Sequence, residues 1–211
     1  MIVANSDGNG RDHSAIDAAM MKRCIRLAED AIQRGELPFA TLICKGNDVV
    51  ATTINQVVQN ADVTRHAELI ALSEAQRTLG TKDLSACTLY TIVEPCAMCS
   101  FAIRETRIGR VVFSIKSPMM GGLSKWNVLR DTEVSHALPE VFGSVPEVIA
   151  GLSCQEAEAV WSKWNPLFWS AIKLGGYLGG NTENGCEQLP SIPPRRGLFR
   201  RLFALHSHPR A

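Results

Sequence analysis

Glu94-Pro95-Cys96-Ala97-Met98-Cys99 lies between a run of β-formers, residues 88–93, and a helix-forming stretch, residues 96–105. Two thiols two residues apart at the start of a helix can clasp one ion, because the helix dipole and a bound cation both favour ionised sulfur. Zinc takes such ligands at about 2.3 Å. Taken alone, one Cys-x-x-Cys is equally open to a redox pair or to coincidence.

Working outward, residues 110–115 form a second run of the same kind. Both runs are continuous rather than alternating, which predicts strands buried on both faces. Upstream, residues 66–79 place Leu69, Leu72, Ala75 and Leu79 on one helical face and end at Gly80. Residues 39–44 and 49–54 read as a hairpin around Lys45-Gly46-Asn47-Asp48. Before them, Ile16, Met20, Cys24, Leu27 and Ala31 recur at helical spacing over residues 14–33, with Ser14 and Asp17 as a capping box and Gly35 as the stop. The order helix, hairpin, helix, strand, helix, strand predicts the α/β class, a mixed sheet covered by helices on both faces.

The signal downstream is weaker. Residues 117–122 read as a loop, 123–130 as a short helix, and 146–150 as a last strand. Residues 154–164 read as a helix broken at Asn165-Pro166 and resumed over 167–173. No internal repeat is visible. The expected organisation is a flexible N-terminus (1–14), one domain (15–175) and a Pro- and Gly-containing basic tail (176–211).

Composition bounds the class. A chain of 211 residues, 45% hydrophobic, suits one domain of roughly 150 residues with extensions. No stretch reaches the roughly 18 apolar residues of a membrane span, and the N-terminus lacks a leader pattern, so a cytoplasmic protein with no membrane role is expected. Seven scattered cysteines fit a reducing compartment, with Cys24, Cys44, Cys87 and Cys154 read as small buried hydrophobes. Of the 22 basic residues 17 lie in residues 1–190 with all 21 acidic ones, leaving that part at −4. An acidic body is a poor match for a phosphate backbone, and the five arginines of the tail are the basic exception.

His66-Ala67-Glu68, at the start of another helix, adds what a catalytic metal site needs. Three protein ligands leave a fourth position for water, whose pKa zinc lowers from 15.7 to about 7. A nearby carboxylate then moves the protons. A helix-start histidine is also a common surface residue, and Glu68 could simply complement the dipole. Both features beside Pro-Cys-x-x-Cys would require several independent accidents.

The pattern His-x-Glu followed by Pro-Cys-x-x-Cys resembles the zinc deaminase signature of the cytidine and deoxycytidylate deaminase superfamily. The resemblance covers roughly residues 16–150. It includes Leu37-Pro38-Phe39-Ala40, Asn55, Thr64-Arg65-His66-Ala67-Glu68, residues 89–99 and Arg107-Ile108-Gly109-Arg110-Val111-Val112-Phe113. It implies a three-layer α/β/α sandwich around a mixed five-stranded sheet, and one Zn2+ per chain on His66, Cys96 and Cys99. Glu68 would be the proton shuttle, Asn55 and the Ala67 backbone substrate contacts, Phe39 a pocket wall, and the assembly a homodimer. Phe39 also reads as a core residue, and Asn55 as a turn residue.

Two branches are similar: the tRNA adenosine deaminases, nearest over residues 107–113, and free-base enzymes such as bacterial guanine deaminase, nearest at Pro38-Phe39. Arg65 departs from the Ala or Gly that both carry before His-Ala-Glu. The leading expectation is hydrolytic deamination of a free purine, guanine first. The alternatives are adenosine-to-inosine editing of a tRNA anticodon and a non-catalytic structural zinc module, which the three-ligand count opposes. Trp126, in a loop near Gly121-Gly122, is the expected lid, while Trp161, Trp164 and Phe168 read as core or dimer packing. The tail reads as disordered or a peripheral helix, alternatively as an RNA grip.

Overall fold

The helix expected near the N-terminus forms as α1 (His13–Gln33) in a computed structural model that describes residues 13–179. The expectations for residues 1–12 and for the tail from 180 onward lie outside the described residues. After α1 come β1 (Ala40–Lys45), β2 (Asp48–Ile54), α2 (Val57–Asn60), α3 (Ala67–Leu79), β3 (Cys87–Val93), α4 (Ala97–Glu105) and β4 (Arg110–Ile115). A 3-10 turn (Val128–Arg130), α5 (Thr132–Ala137), β5 (Glu147–Ala150), α6 (Cys154–Trp164) and α7 (Pro166–Leu174) follow.

The five strands order as β2-β1-β3-β4-β5. β1 runs antiparallel to β2 and β3, and β3, β4 and β5 run parallel. The hairpin needs only its short turn, where Gly46 takes φ +60°. A parallel pair needs a crossover, which α4 supplies between β3 and β4. Alternation of side chains then builds two cores. Leu42, Tyr90, Ile92 and Val112 face α1, α6 and α7, whereas Ile43, Leu89, Val111 and Phe113 face α3 and α4. Each fully buried Leu, Ile or Phe contributes roughly 1.5–3 kcal/mol, so both faces of the central strands stabilise the sandwich.

Several local expectations are corrected. Ser14 lies inside α1 rather than ahead of it, and the Asp17 carboxylate accepts from Tyr90 Oη at 2.7 Å and pairs with Arg110 at 2.9 Å. Residues 123–130 form only the 3-10 turn, and α2 and α5 appear where no element was expected. The expected break at Asn165-Pro166 is present, and α7 restarts one residue earlier than expected, at Pro166, because the Asn165 side chain caps it by accepting from Phe168 N at 2.9 Å. Cys154 is half-buried, unlike Cys24, Cys44 and Cys87. Packing also continues past residue 175, since Leu178 belongs to the core of the α1 face.

Candidate active site

The parallel strands carry their carboxyl ends, and the chain leaving β3, to one edge of the sheet, where ligands of open α/β folds collect. There Pro95 and Cys96 lead into α4. His66 and Cys96 occupy the N-cap positions of α3 and α4 with extended backbones (φ −68°, ψ 144° and φ −66°, ψ 171°), and neither side chain caps its helix. Both are therefore free to turn toward each other. His66 Nδ1 lies 3.4 Å from Cys99 Sγ and 3.7 Å from Cys96 Sγ, and the three donor atoms fall within 4.8 Å of one another. A tetrahedral zinc with bonds of 2.0–2.3 Å needs donors roughly 3.5–3.8 Å apart, so this donor set fits that ion.

Charge in the cluster is already divided. Hydrogen bonding from Cys99, then from His66, holds the Cys96 thiol down to about 4 despite its burial. The bond to Cys96 raises His66, and the same Cys96 contact together with burial pushes Cys99 well above the ordinary thiol range. Glu68, in the first turn of α3, is raised by burial, against the opposing effect of His66. Its turn is anchored to β2, because Thr53 Oγ1 donates to the Ala67 carbonyl at 2.7 Å.

A cavity of about 580 Å³ opens on this cluster, a size typical of small-molecule sites. Glu68, His66, Cys96, Asn55 and Phe39 all line it. Phe39 meets both readings of its role, since it also packs edge-on against Trp161 at 5.0 Å. Ala67 is buried, its carbonyl is taken by Thr53, and it is not among the residues that line the cavity. Trp126 is not brought to the cavity: it is 57% exposed, with the Lys125 ammonium 6.0 Å from its ring centroid. The aromatic walls come instead from Trp161 and Tyr177. Arg65 is exposed and bonds Gln56 at 3.0 Å.

Glu94 opens the Glu-Pro-Cys motif, where it has no role assigned, and the structure uses it to hold a loop beside the cluster. Its buried carboxylate accepts from Ser117 N at 2.8 Å, Leu123 N at 2.9 Å, and Ser124 N and Oγ at 2.6 Å each. Those bonds pull residues 117–124 over the β3 end, where Gly121 bridges to Cys96. A Cβ on Gly121 would overlap the Glu94 carboxylate, so the close approach requires glycine here. Ser117 Oγ in turn donates to the Tyr177 carbonyl at 3.2 Å, which ties the last described residues to the cavity.

Fold and site together define a mixed-sheet α/β sandwich with a His-Cys-Cys metal centre at two helix starts. Residues 14–115 match the cytidine and deoxycytidylate deaminase zinc-binding region. A tRNA-specific adenosine deaminase of Aquifex aeolicus is 38% identical over 55% of this chain and 78% of its own length. A solved structure from work on A-to-I editing by tRNA:A34 deaminases is 28% identical, covers 67% of this chain and 98% of that one, and superposes with a TM-score of 0.58. The structure of NE0047 in complex with 2,6-diaminopurine is 27% identical, covers 71% and 82%, and has a TM-score of 0.56. The chain belongs to the cytidine and deoxycytidylate deaminase family, and is a zinc-binding hydrolase of C–N bonds. No helix among the described residues is long and apolar enough to cross a membrane.

Proposed function

We propose that this chain deaminates a free purine base, guanine first, with Glu68 as the proton carrier. The observation that carries the proposal is the apolar enclosure of the cavity by Trp161, Ile172, Tyr177 and Leu178. All four lie beyond the family match at residue 115, and the rings of Trp161 and Tyr177 supply flat walls suited to a single base.

His66, Cys96 and Cys99 would hold the zinc, which supplies Lewis acidity and a nucleophilic water at neutral pH. Glu68 takes the proton released by that water and delivers protons to the departing amine. Burial favours its protonated form and so keeps it able to give a proton as well as take one. Asn55 orients the base edge, and Phe39 walls the pocket. Apolar Met98 and Phe101, exposed on α4, support the homodimer. Free thiols at Cys24, Cys44, Cys87, Cys96, Cys99 and Cys154 support a cytoplasmic location.

Editing of a tRNA anticodon is the second reading, supported by the likeness to tRNA deaminases in both sequence and structure. The deciding experiment incubates zinc-loaded protein with guanine, adenine, cytosine, their nucleosides and an anticodon stem-loop, following ammonia and inosine against Glu68→Ala. Ammonia from guanine alone is the expected result. Inosine in the stem-loop alone would replace the first reading by the second.

A further inference from the structure

Glu36 belongs to no motif, yet its carboxylate is buried at 1% exposure between α1 and β1. Three donors surround it. Asn55 Nδ2 and Val58 N donate to Oε2 at 3.0 and 3.3 Å, and Gln59 N donates to Oε1 at 2.7 Å. Among the described residues no Lys, Arg or His pairs with it. All three donors are amide N–H groups, and each bond they make to a carboxylate is charge-assisted.

The chemistry of these donors fixes an orientation. A carboxylate only accepts, and a backbone N–H only donates, so Asn55 must turn its Nδ2 toward Glu36. Its Oδ1 is then the end left over. That oxygen accepts no hydrogen bond among the described residues and belongs to a side chain that lines the cavity. Val57, at the start of the helix whose amides Glu36 binds, lines the cavity too.

We infer that Glu36 is a positioning residue that locks the Asn55 amide with its acceptor facing the cavity, so that the site selects a substrate edge presenting an N–H donor. The inference rests on the reading of this cavity as the substrate site. A neutral amide at position 36 could pair with either end of Asn55 and would release the lock. An acceptor facing an acceptor leaves both unpaired, which costs roughly 10–100-fold in binding.

The test is an exchange of the two side-chain chemistries in the full zinc-loaded chain, assayed on whichever base, nucleoside or stem-loop the wild type deaminates. Asn55→Asp sets two carboxylates face to face and is expected to lose about 100-fold or more in kcat/KM. Glu36→Gln is expected to raise KM about tenfold with kcat little changed, and to narrow the preference between bases. The double variant Glu36→Gln/Asn55→Asp restores the pair, because the amide introduced at position 36 donates to the carboxylate introduced at position 55, whose other oxygen again faces the cavity as an acceptor. It should recover to within about tenfold of wild type. Glu36→Asp, which remains acceptor-only, should keep the wild-type base preference even where affinity falls, and it serves if Glu36→Gln does not fold. A double variant no better than Asn55→Asp, or a changed preference in Glu36→Asp, would overturn the inference while leaving the deaminase reading intact. A folded, zinc-loaded wild type that deaminates nothing in the panel would overturn both.

Discussion

Cys99 Sγ lies 3.4 Å from His66 Nδ1, joining the first turns of two helices across 33 residues of sequence. Cys99 is fully buried, so removing its sulfur takes away a metal ligand that no neighbouring group can replace. Cys99→Ser is expected to weaken zinc binding by well over the 10–100-fold that follows loss of a supporting contact. Because zinc binds the folded chain, the melting temperature should fall with it, and chelation of the wild type should reproduce that fall and be reversed by added zinc. Metal analysis beside thermal melts checks this, and a variant retaining stoichiometric zinc would remove Cys99 from the ligand set.

Glu68 faces the same cluster without belonging to it. Glu68→Gln keeps the shape but loses the exchangeable proton, so it should retain zinc while turnover drops by the ~10²–10⁴-fold typical of general acid–base groups. Zinc content and steady-state rates measured on one preparation separate the two effects. Loss of metal together with activity would instead make Glu68 part of the metal centre.

Gly121 and Glu94 set a steric limit. A methyl at position 121 would meet the Glu94 carboxylate, which is held by four donors and cannot withdraw without losing them. Gly121→Ala should therefore destabilise the fold by about 1–3 kcal/mol, the usual cost of overpacking. It should also loosen the segment that bridges to Cys96, raising KM. Denaturant unfolding and steady-state kinetics test both parts, and unchanged unfolding would mean that the loop does not close on Glu94 in solution.

How much of this could be read from sequence depends on whether an interaction leaves a pattern. The grouping of His66, Cys96 and Cys99 is legible because each side chain sits in a short motif at the start of a periodic helix. Strands β3 and β4 are legible because their burial on both faces produces continuous rather than alternating runs of β-formers. The roles of Glu36 and Glu94 are not, since their partners are mostly backbone amides some 22 to 30 residues away, which every residue type but proline supplies. Asp17 shows the same limit: its spacing from Ser14 suggests only a local role, while its carboxylate also meets a distant arginine and tyrosine. Trp161 hid because core packing and cavity lining use the same helical spacing.

That buried Asp17–Tyr90 pair gives a pH dependence. Burial, and then the hydrogen bond to Asp17, raise the Tyr90 hydroxyl above its ordinary range. A group whose folded pKa is raised contributes stability that is fully present below the unfolded value of about 10 and is lost as pH climbs toward the folded one. Unfolding free energy should thus decline as pH rises above about 10. Tyr90→Phe should flatten the decline and, at neutral pH, cost about 1.5–3 kcal/mol for a hydrogen bond to a charged group. Urea titrations across an alkaline pH series test the sign, and an unaltered slope in the variant would assign the decline to other groups.

Trp161 and Trp126 make opposite predictions about what encloses the ligand. Trp161 is 1% exposed and packs between Phe39, Trp164 and Trp169 while lining the cavity. Trp161→Ala should cost about 3–5 kcal/mol and leave the α1-face core open to water. Trp161→Phe preserves most of the packing, so a KM rise in that variant at nearly unchanged stability would isolate the wall's contribution to binding. Trp126, more than half exposed and outside the cavity, should tolerate Ala within about 0.5 kcal/mol and with near-normal kinetics. If Trp126→Ala instead raised KM strongly while Trp161→Phe did not, residues 123–127 would have to close over the bound base, and enclosure would come from the loop rather than from α6.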